Sequence, residues 1–514
     1  MESKKRKKIK LTKIVYKRAL FFILVILLQL LLLFGVWVFF YKHIVLIFGG
    51  SVLFSFFVMI HILNTNENPM YKLGWMVPIF FLPVLGIIIY LLSRLKIIKS
   101  KVYKKHKKII KNTQKYILQD ETVMEDIRKI DPFLESMVSY TNNYGGYPMY
   151  KNTDITYLKS GEDFFDDMKR ELKKAEKFIF LEYFIISDNS MWNEILDILC
   201  EKVEQGVEVR VMYDGMGSLF TLPYEYDKYL ESLGIKCQIF YPVKPILSLY
   251  QNNRDHRKIL VVDGKVGYMG GINISDEYIN KINRYGHWKD TALLIQGEAV
   301  KSLTIMFLQI WDLFQKEKTN YDKYIVDTKC KSEGYIMPYS DSPFDDELVG
   351  EEIYLDIINN SVKYVHIVTP YFIIDDNIEE SLKHAAKRGV DVKIILPFIS
   401  DGKSTKLVGY TYYKDLIASG VKIYEYKPGF VHAKMVTSDY DKAVVGTINF
   451  DYRSLYLHFE CASFIYRHKS IKDIENDIDK ILEQSEHITI EKYKKIPFIK
   501  KIVGRIMRLF APLM

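Results

Sequence analysis

Cysteine is scarce: Cys200, Cys237, Cys330 and Cys461 are the only four in a chain of 514 residues. None forms a Cys-x-x-Cys pair, and their spacing fits no metal site. Isolated cysteines of this kind behave as small buried apolar residues and fit a reducing, cytoplasmic compartment. Eleven histidines are present, yet no pair has His-Glu-x-x-His or similar spacing, so no metal and no cofactor is expected. A small-residue cleavage site is also missing after the first apolar run, and a second run follows at once. Both features argue against a cleavable signal peptide.

What the chain does have is apolar sequence crowded into one end. Leu20–Phe40 is interrupted only by Gln29 and Gly35, and Ile44–Leu63 and Leu73–Leu92 follow closely. Each run would make a helix of about 30 Å, the thickness of a bilayer core. The third contains Pro78, Pro83 and Gly86, which favour a broken, re-entrant or interfacial segment. Residues 4–18 carry nine Lys or Arg and residues 94–115 carry ten more. Both basic runs abut apolar sequence, so attraction to anionic headgroups is the reading preferred over nucleic acid. Both also favour the cytoplasmic side, which predicts a multi-pass protein of the cell membrane with its following domain on that side.

Beyond residue 120 the pattern changes to alternating strands and helices. Lys177–Ile186 reads as a strand, Met191–Gly206 as a helix ending at glycine, and Val207–Asp214 as a strand. The order recurs in Tyr364–Ile374, Ile378–Gly389 and Val390–Pro397. Such βαβ units predict an α/β fold with largely parallel sheets. After each unit stands the same polar set. The first copy has His256, Lys258, Asp263, Gly270, Gly271 and Asn273; the second has His432, Lys434, Asp439, Gly446, Thr447 and Asn449. Intervals of two, five, seven and three residues are identical in both.

Histidine titrates near neutrality and can serve as nucleophile, base or acid. Lysine offers a compact positive charge to phosphate oxygens, and asparagine adds neutral donors. Two such sets packed face to face would hold one phosphoryl group by charge, without a metal. The histidines then divide the work: one attacks phosphorus, the other moves the proton of the alcohol. The residues themselves do not say which does which. A catalytic histidine also needs a partner on its other nitrogen. Asp290 and Glu460 stand at comparable offsets after the two motifs; the plain alternative is that both are surface carboxylates. His287 and His458 lie near them but lack a lysine two positions on, so they read as packing or rim residues.

The doubled pattern HxK(x)4D(x)6GGxN resembles the phospholipase D superfamily over roughly residues 145–490, with Gly446-Thr447 as a mild departure in the second copy. The resemblance implies two tandem α/β/α halves that form one pseudo-twofold catalytic unit. It implies His256 as nucleophile, His432 as acid and base, and Asp290 and Glu460 as the acids behind the histidines. It places Asp263 and Asp439 among the signature catalytic residues with Lys258 and Lys434, although their position just beyond buried strands suits fixing the backbone. Asn273 and Asn449 would bind phosphate.

Several segments narrow the likeness to bacterial cardiolipin synthases: Glu67–Leu92, Arg254–Tyr278, Thr369–Asp376, Gly446–Glu460 and Phe498–Met514. Departures are His458, where asparagine is expected, and Ala292, where many relatives carry histidine. The resemblance implies a phosphatidyltransferase that joins two phosphatidylglycerol molecules into cardiolipin and glycerol through a phospho-histidine. A membrane-bound hydrolase, or a transferase using another alcohol, would use the same histidines. A scaffold for anionic lipid has no use for the doubled motif. The expected organisation is a basic segment at 1–18, a membrane region at 19–92 of two or three apolar helices, and a basic juxtamembrane linker at 93–140. Two catalytic halves at 141–325 and 326–490 and a basic amphipathic tail at 491–514 follow. The tail has two readings of equal weight, a helix at the membrane surface or one packed on the domain. Nothing in the sequence addresses oligomeric state.

Overall fold

The computed structural model describes residues 27–35, 44–93, 97–243, 252–345 and 347–513. Two mixed sheets dominate it. The first has the spatial order Thr153–Leu158, Ala292–Gly297, Val266–Gly270, Lys258–Val262, Phe178–Tyr183, Glu208–Asp214, Lys236–Phe240. The second repeats it with Tyr335–Asp341, Glu460–Tyr466, Lys442–Gly446, Met435–Ser438, Tyr364–Val368, Asp391–Pro397 and Lys422–Tyr426, then adds Ser485–Ile488 at the edge. The pattern of parallel and antiparallel neighbours over the seven shared strands is also the same, as expected of a duplicated unit.

The expectation of largely parallel sheets needs correction. Only the three strands around each βαβ unit run parallel; the motif strands and their neighbours are antiparallel. The cause is local. Asp263 and Gly264 both take positive φ, +55° and +67°, and turn the first motif strand straight back on itself. Asp439 and Tyr440 do the same at +54° and +68°. Tight reversals with φ > 0 join antiparallel strands, not parallel ones.

The helices follow their sequence signals. Ser190–Glu204 and Asp376–Lys387 stop before Gly206 and Gly389, which take φ of +85° and +93°. Asp375 caps the second of these by accepting from the Ile378 N–H at 3.0 Å. Core residues from both halves interleave: the Tyr157 hydroxyl donates to Asp477 at 2.6 Å, and Lys289 pairs with the same carboxylate at 2.7 Å. One core therefore runs through both sheets.

Among the described residues no helix is long and apolar enough to cross a membrane. The first apolar run is described as helix over 27–35, and the second forms Ile44–Leu63. The third is broken as its prolines require: Pro69–Phe81 and Pro83–Ser93 fold back on each other across Leu82. A Cβ on Gly86 would lie 2.7 Å from the Ile79 Cα, so only glycine permits this close return. Phe80, Phe81 and Leu82 are exposed at the tip. At the foot, Asn68 caps the first arm and donates to the Tyr456 hydroxyl at 3.0 Å, which ties the hairpin to the second half.

The basic run at 4–18 lies outside the described residues. The second basic run, expected as a linker, is a helix over Ile97–Thr113 that docks on the two-sheet body. Lys105 donates to the Leu313 and Gln315 carbonyls at the end of helix Val300–Phe314, and His106 is buried against Phe344 and Phe459. The tail helix Phe498–Arg508 packs through Gly504 against the Leu407 carbonyl. Its Phe498, Ile499 and Ile506 remain exposed beside Lys500, Lys501 and Arg505.

Candidate active site

The two motif histidines meet where the halves cross. Chain from each half pairs with chain from the other: Gly429–Val431 lies parallel to His287–Lys289, and Asp255 bridges to Phe459. The His256 N–H donates to the Phe459 carbonyl at 2.9 Å, and the His432 N–H to the Lys289 carbonyl at 2.7 Å. Each histidine is therefore seated beside the acid of the opposite half. His256 Nδ1 lies 2.9 and 3.0 Å from the Glu460 oxygens, and His432 Nδ1 lies 2.6 Å from Asp290 Oδ2. A carboxylate only accepts, so Nδ1 carries the proton in both and Nε2 holds the free electron pair.

Both acids are fully buried, so the reading of Asp290 and Glu460 as surface carboxylates is ruled out. Burial opposes their charge, but the adjacent histidine together with the donors and cations around each acid outweighs it and holds each carboxyl below its usual range. Burial likewise pushes both histidines below their ordinary value, only partly offset by the carboxylates. In the free site each pair thus favours a neutral imidazole on an ionised acid, the state a nucleophile requires; a histidine that serves as acid first takes up a proton at Nε2.

The remaining motif residues divide into three groups. Asn273 and Asn449 face the same cleft as the histidines. Asn273 donates to the Tyr278 hydroxyl at 2.7 Å and accepts from the Ile185 N–H at 3.0 Å; Asn449 donates to Ser454 at 3.1 Å. Lys258 and Lys434 sit one layer behind. Their ammonium groups donate to the carbonyls of His256 and His432, and that of Lys434 lies 3.0 Å from both ring nitrogens of His432. Burial lowers Lys258 to about 8 and Lys434 to about 7, partly opposed by nearby carboxylates.

Asp263 and Asp439 are the exceptions, and the structure corrects their place among the catalytic residues. They lie beyond the far ends of the motif strands, where each carboxylate accepts from three successive backbone N–H groups. Asp263 takes those of Glu176, Lys177 and Phe178 at 2.7 to 2.8 Å, and Asp439 those of Val362, Lys363 and Tyr364 at 2.7 to 3.1 Å. They clamp the start of the neighbouring strand and do not reach the cleft.

The cleft has a volume of about 350 Å³. Residues not singled out in sequence complete it: Tyr278, Trp288 and Tyr371 give it aromatic walls, and Arg284 and Arg453 bring positive charge. One signal for them was available. Tyr278 and Ser454 each follow their motif asparagine by five residues and each bonds its side chain, so the repeat extends further than the motif. His287 is outside the cleft and meets the Tyr426 hydroxyl at 2.9 Å. His458 is buried and lines the cleft.

Comparison with known proteins agrees with this geometry. A family model described as "Cardiolipin synthase, PLD-like domain" matches residues 168–311 and 354–482. The cardiolipin synthase of Alkalihalophilus pseudofirmus is 34% identical over 473 residues, 90% of this chain and 93% of that protein. The chain belongs to the phospholipase D-type cardiolipin synthase family. An uncharacterized protein of Streptococcus mutans is 45% identical over 462 residues, 89% of this chain and 99% of the other. A model described as phospholipase D-nuclease N-terminal matches residues 53–94, the helical hairpin and the helix before it. Among solved structures, phosphatidylserine synthase of Haemophilus influenzae superposes with a TM-score of 0.55 at 16% identity, covering 73% of this chain and 97% of that one. That likeness is one of fold, and it extends over both halves of the family's catalytic unit.

Proposed function

We propose that the protein is a membrane cardiolipin synthase that transfers a phosphatidyl group from one phosphatidylglycerol to another. The observation that carries this is the pair of neutral histidines, each on the other half's carboxylate, opening on one cleft. His256 Nε2 attacks phosphorus as the bond to the glycerol oxygen breaks, and His432, which takes up a proton at Nε2 from water as the anionic phosphodiester enters the cleft, gives that proton to the leaving glycerol oxygen. The phosphatidyl group then rests on His256. A second phosphatidylglycerol gives the proton of its terminal hydroxyl to His432, its oxygen attacks phosphorus, and the P–N bond breaks to release cardiolipin. The asparagines offer donors to the phosphate oxygens, and the two lysines add charge from behind the histidines. Arg284 and Arg453 stand in the same cleft, where planar guanidinium groups suit the phosphate of the acceptor lipid.

The same reading places the first two apolar runs across the bilayer, with both basic runs on the cytoplasmic side. The hairpin tip at Phe80–Leu82 dips into the interface, and the tail helix rests on it through Phe498 and Ile499 while Gly504 holds it to the domain. Thus the two readings of the tail combine in one helix. We place the domain limits at 18, 92, 140, 325 and 490.

The test is incubation of the purified protein with phosphatidylglycerol alone in the presence of EDTA. Cardiolipin and glycerol in equal amounts are expected. Phosphatidic acid with glycerol would mean hydrolysis and would overturn the reading.

A further inference from the structure

His458 is the one histidine of the cleft that the reaction leaves unused. Its side chain is 9% exposed, and neither ring nitrogen has a hydrogen-bond partner. A buried unpaired imidazole costs free energy, so its presence calls for a ligand. Two groups stand beside it. Nδ1 of His458 is 3.8 Å from Glu460 Oε1, the same oxygen that lies 2.9 Å from His256 Nδ1. The His256 and His458 rings are 5.7 Å apart between centroids. One donor atom from each of His256, His458 and Glu460 falls within 4.8 Å of the others, and all three residues are buried.

We infer that His256, His458 and Glu460 form an inhibitory site for a borderline divalent ion such as Zn²⁺. Two imidazoles and one carboxylate are a zinc donor set, and tetrahedral zinc at about 2.0 to 2.1 Å from each ligand spaces its donors about 3.3 Å apart. The two separations to Glu460, 2.9 and 3.8 Å, bracket that value, and the one between the histidines lies within 4.8 Å. His256 and His458 line the cleft, and Glu460 is buried behind them. The Lys258 ammonium bears on His256 and opposes a cation, while the Glu460 and Asp290 carboxylates offset it. Inhibition follows from electron counting. A neutral imidazole has one free pair; once zinc takes it, the other ring nitrogen carries a proton, and His256 has nothing with which to attack phosphorus. The ion also displaces the hydrogen bond that orients the ring. The reaction itself still needs no metal.

The full chain in detergent, stripped with EDTA, is titrated with Zn²⁺ alone and with Mg²⁺ as a control, and bound metal is counted after gel filtration. One Zn²⁺ per chain and no Mg²⁺ is expected. The zinc K-edge spectrum should show nitrogen and oxygen near 2.0 Å with imidazole scattering. Within each variant, the ratio of transfer rates with and without Zn²⁺ is the second reading: at least a tenfold drop in the wild type, reversed by EDTA, and no drop in H458N. Sulfur scattering near 2.3 Å would put the ion on cysteines and overturn the inference. So would H458N that binds zinc as the wild type does, or a wild type that binds none. If H458N does not fold, as its thermal melt will show, the spectrum of the wild type decides alone. The metal count does not depend on the lipid reaction, so failure of this site and failure of the synthase reading are told apart.

Discussion

The two halves solve one problem with different parts. In the first, Gly271 has no side chain because Asp290 occupies its place: a Cβ there would lie 2.2 Å from Asp290 Oδ1. Asp290 then reaches His432 with one oxygen at 2.6 Å, while the Thr291 N–H holds the other at 2.9 Å. In the second, Thr447 takes the place of that glycine and its hydroxyl donates to Glu460 Oε2. The longer acid presents both oxygens to His256, at 2.9 and 3.0 Å. A duplicated fold therefore conserves the position of the charge and not the residue that brings it. Because each acid serves the opposite histidine, neither half holds a complete catalytic pair.

The largest effect expected is from the histidines. His256→Ala and His432→Ala each lower transfer by on the order of 10⁴ or more. They should differ in what they trap. With a p-nitrophenyl phosphodiester of the lipid, whose leaving group needs no proton, His432→Asn gives one burst of nitrophenol and a stable phosphatidyl adduct on His256. Mass spectrometry locates the adduct. An adduct on His432 in His256→Asn instead would reverse the roles.

Removing the acids comes next. Glu460→Gln and Asp290→Asn each cost on the order of 10³ to 10⁴ in kcat, because the amide permits the wrong tautomer. The nitrophenyl substrate separates them: it should rescue the burst in Asp290→Asn, where proton donation is lost, but not in Glu460→Gln, where the nucleophile is misoriented. Gly271→Ala should copy Asp290→Asn, since the new Cβ displaces that carboxylate. Equal rescue in all three would break the crossed assignment.

The lysines give a smaller effect with a definite sign. Burial lowers an ammonium pKa, so the charge is present below that value and lost above it. With Lys434 at about 7 and Lys258 at about 8, KM for phosphatidylglycerol should rise roughly tenfold between pH 6.5 and 9. Lys434→Arg keeps its charge across the range and should flatten the lower part of that rise, and Lys258→Arg the upper part. A KM constant with pH in the wild type would remove the lysines from phosphate binding.

Much of this was legible from the repeat. Equal intervals around His256 and His432 located the site, and Pro78, Pro83 and Gly86 foretold the broken third apolar run. The crossing of Asp290 and Glu460 was not legible, because their offsets from the motifs are alike whichever histidine they serve. Nor was the antiparallel half of each sheet. Asp263-Gly264 is a hairpin signal that was absorbed into the motif as chemistry, and Asp439-Tyr440 hides it further, since tyrosine rarely adopts φ of +68°. Arg284 and Arg453 stand in segments without periodicity, and only folding brings them to the cleft.

The smallest effect tests what the second half gains from its hydroxyl. Thr447→Gly makes the second half resemble the first. Glu460 loses one donor but keeps His256, and the space left is one that glycine fills in the first half. A hydrogen bond to a charged acceptor contributes about 1.5 to 3 kcal/mol at most, and water entering the gap recovers part of it. A fall in kcat of about threefold to tenfold is expected, with KM unchanged, since Thr447 meets the acid and not the phosphate. Thr447→Val should do worse than Thr447→Gly despite its closer shape, because its methyl groups fill the gap without a donor and leave a Glu460 oxygen short of a partner. If the order of the two is reversed, the residue acts by filling space, and the two halves differ in packing alone.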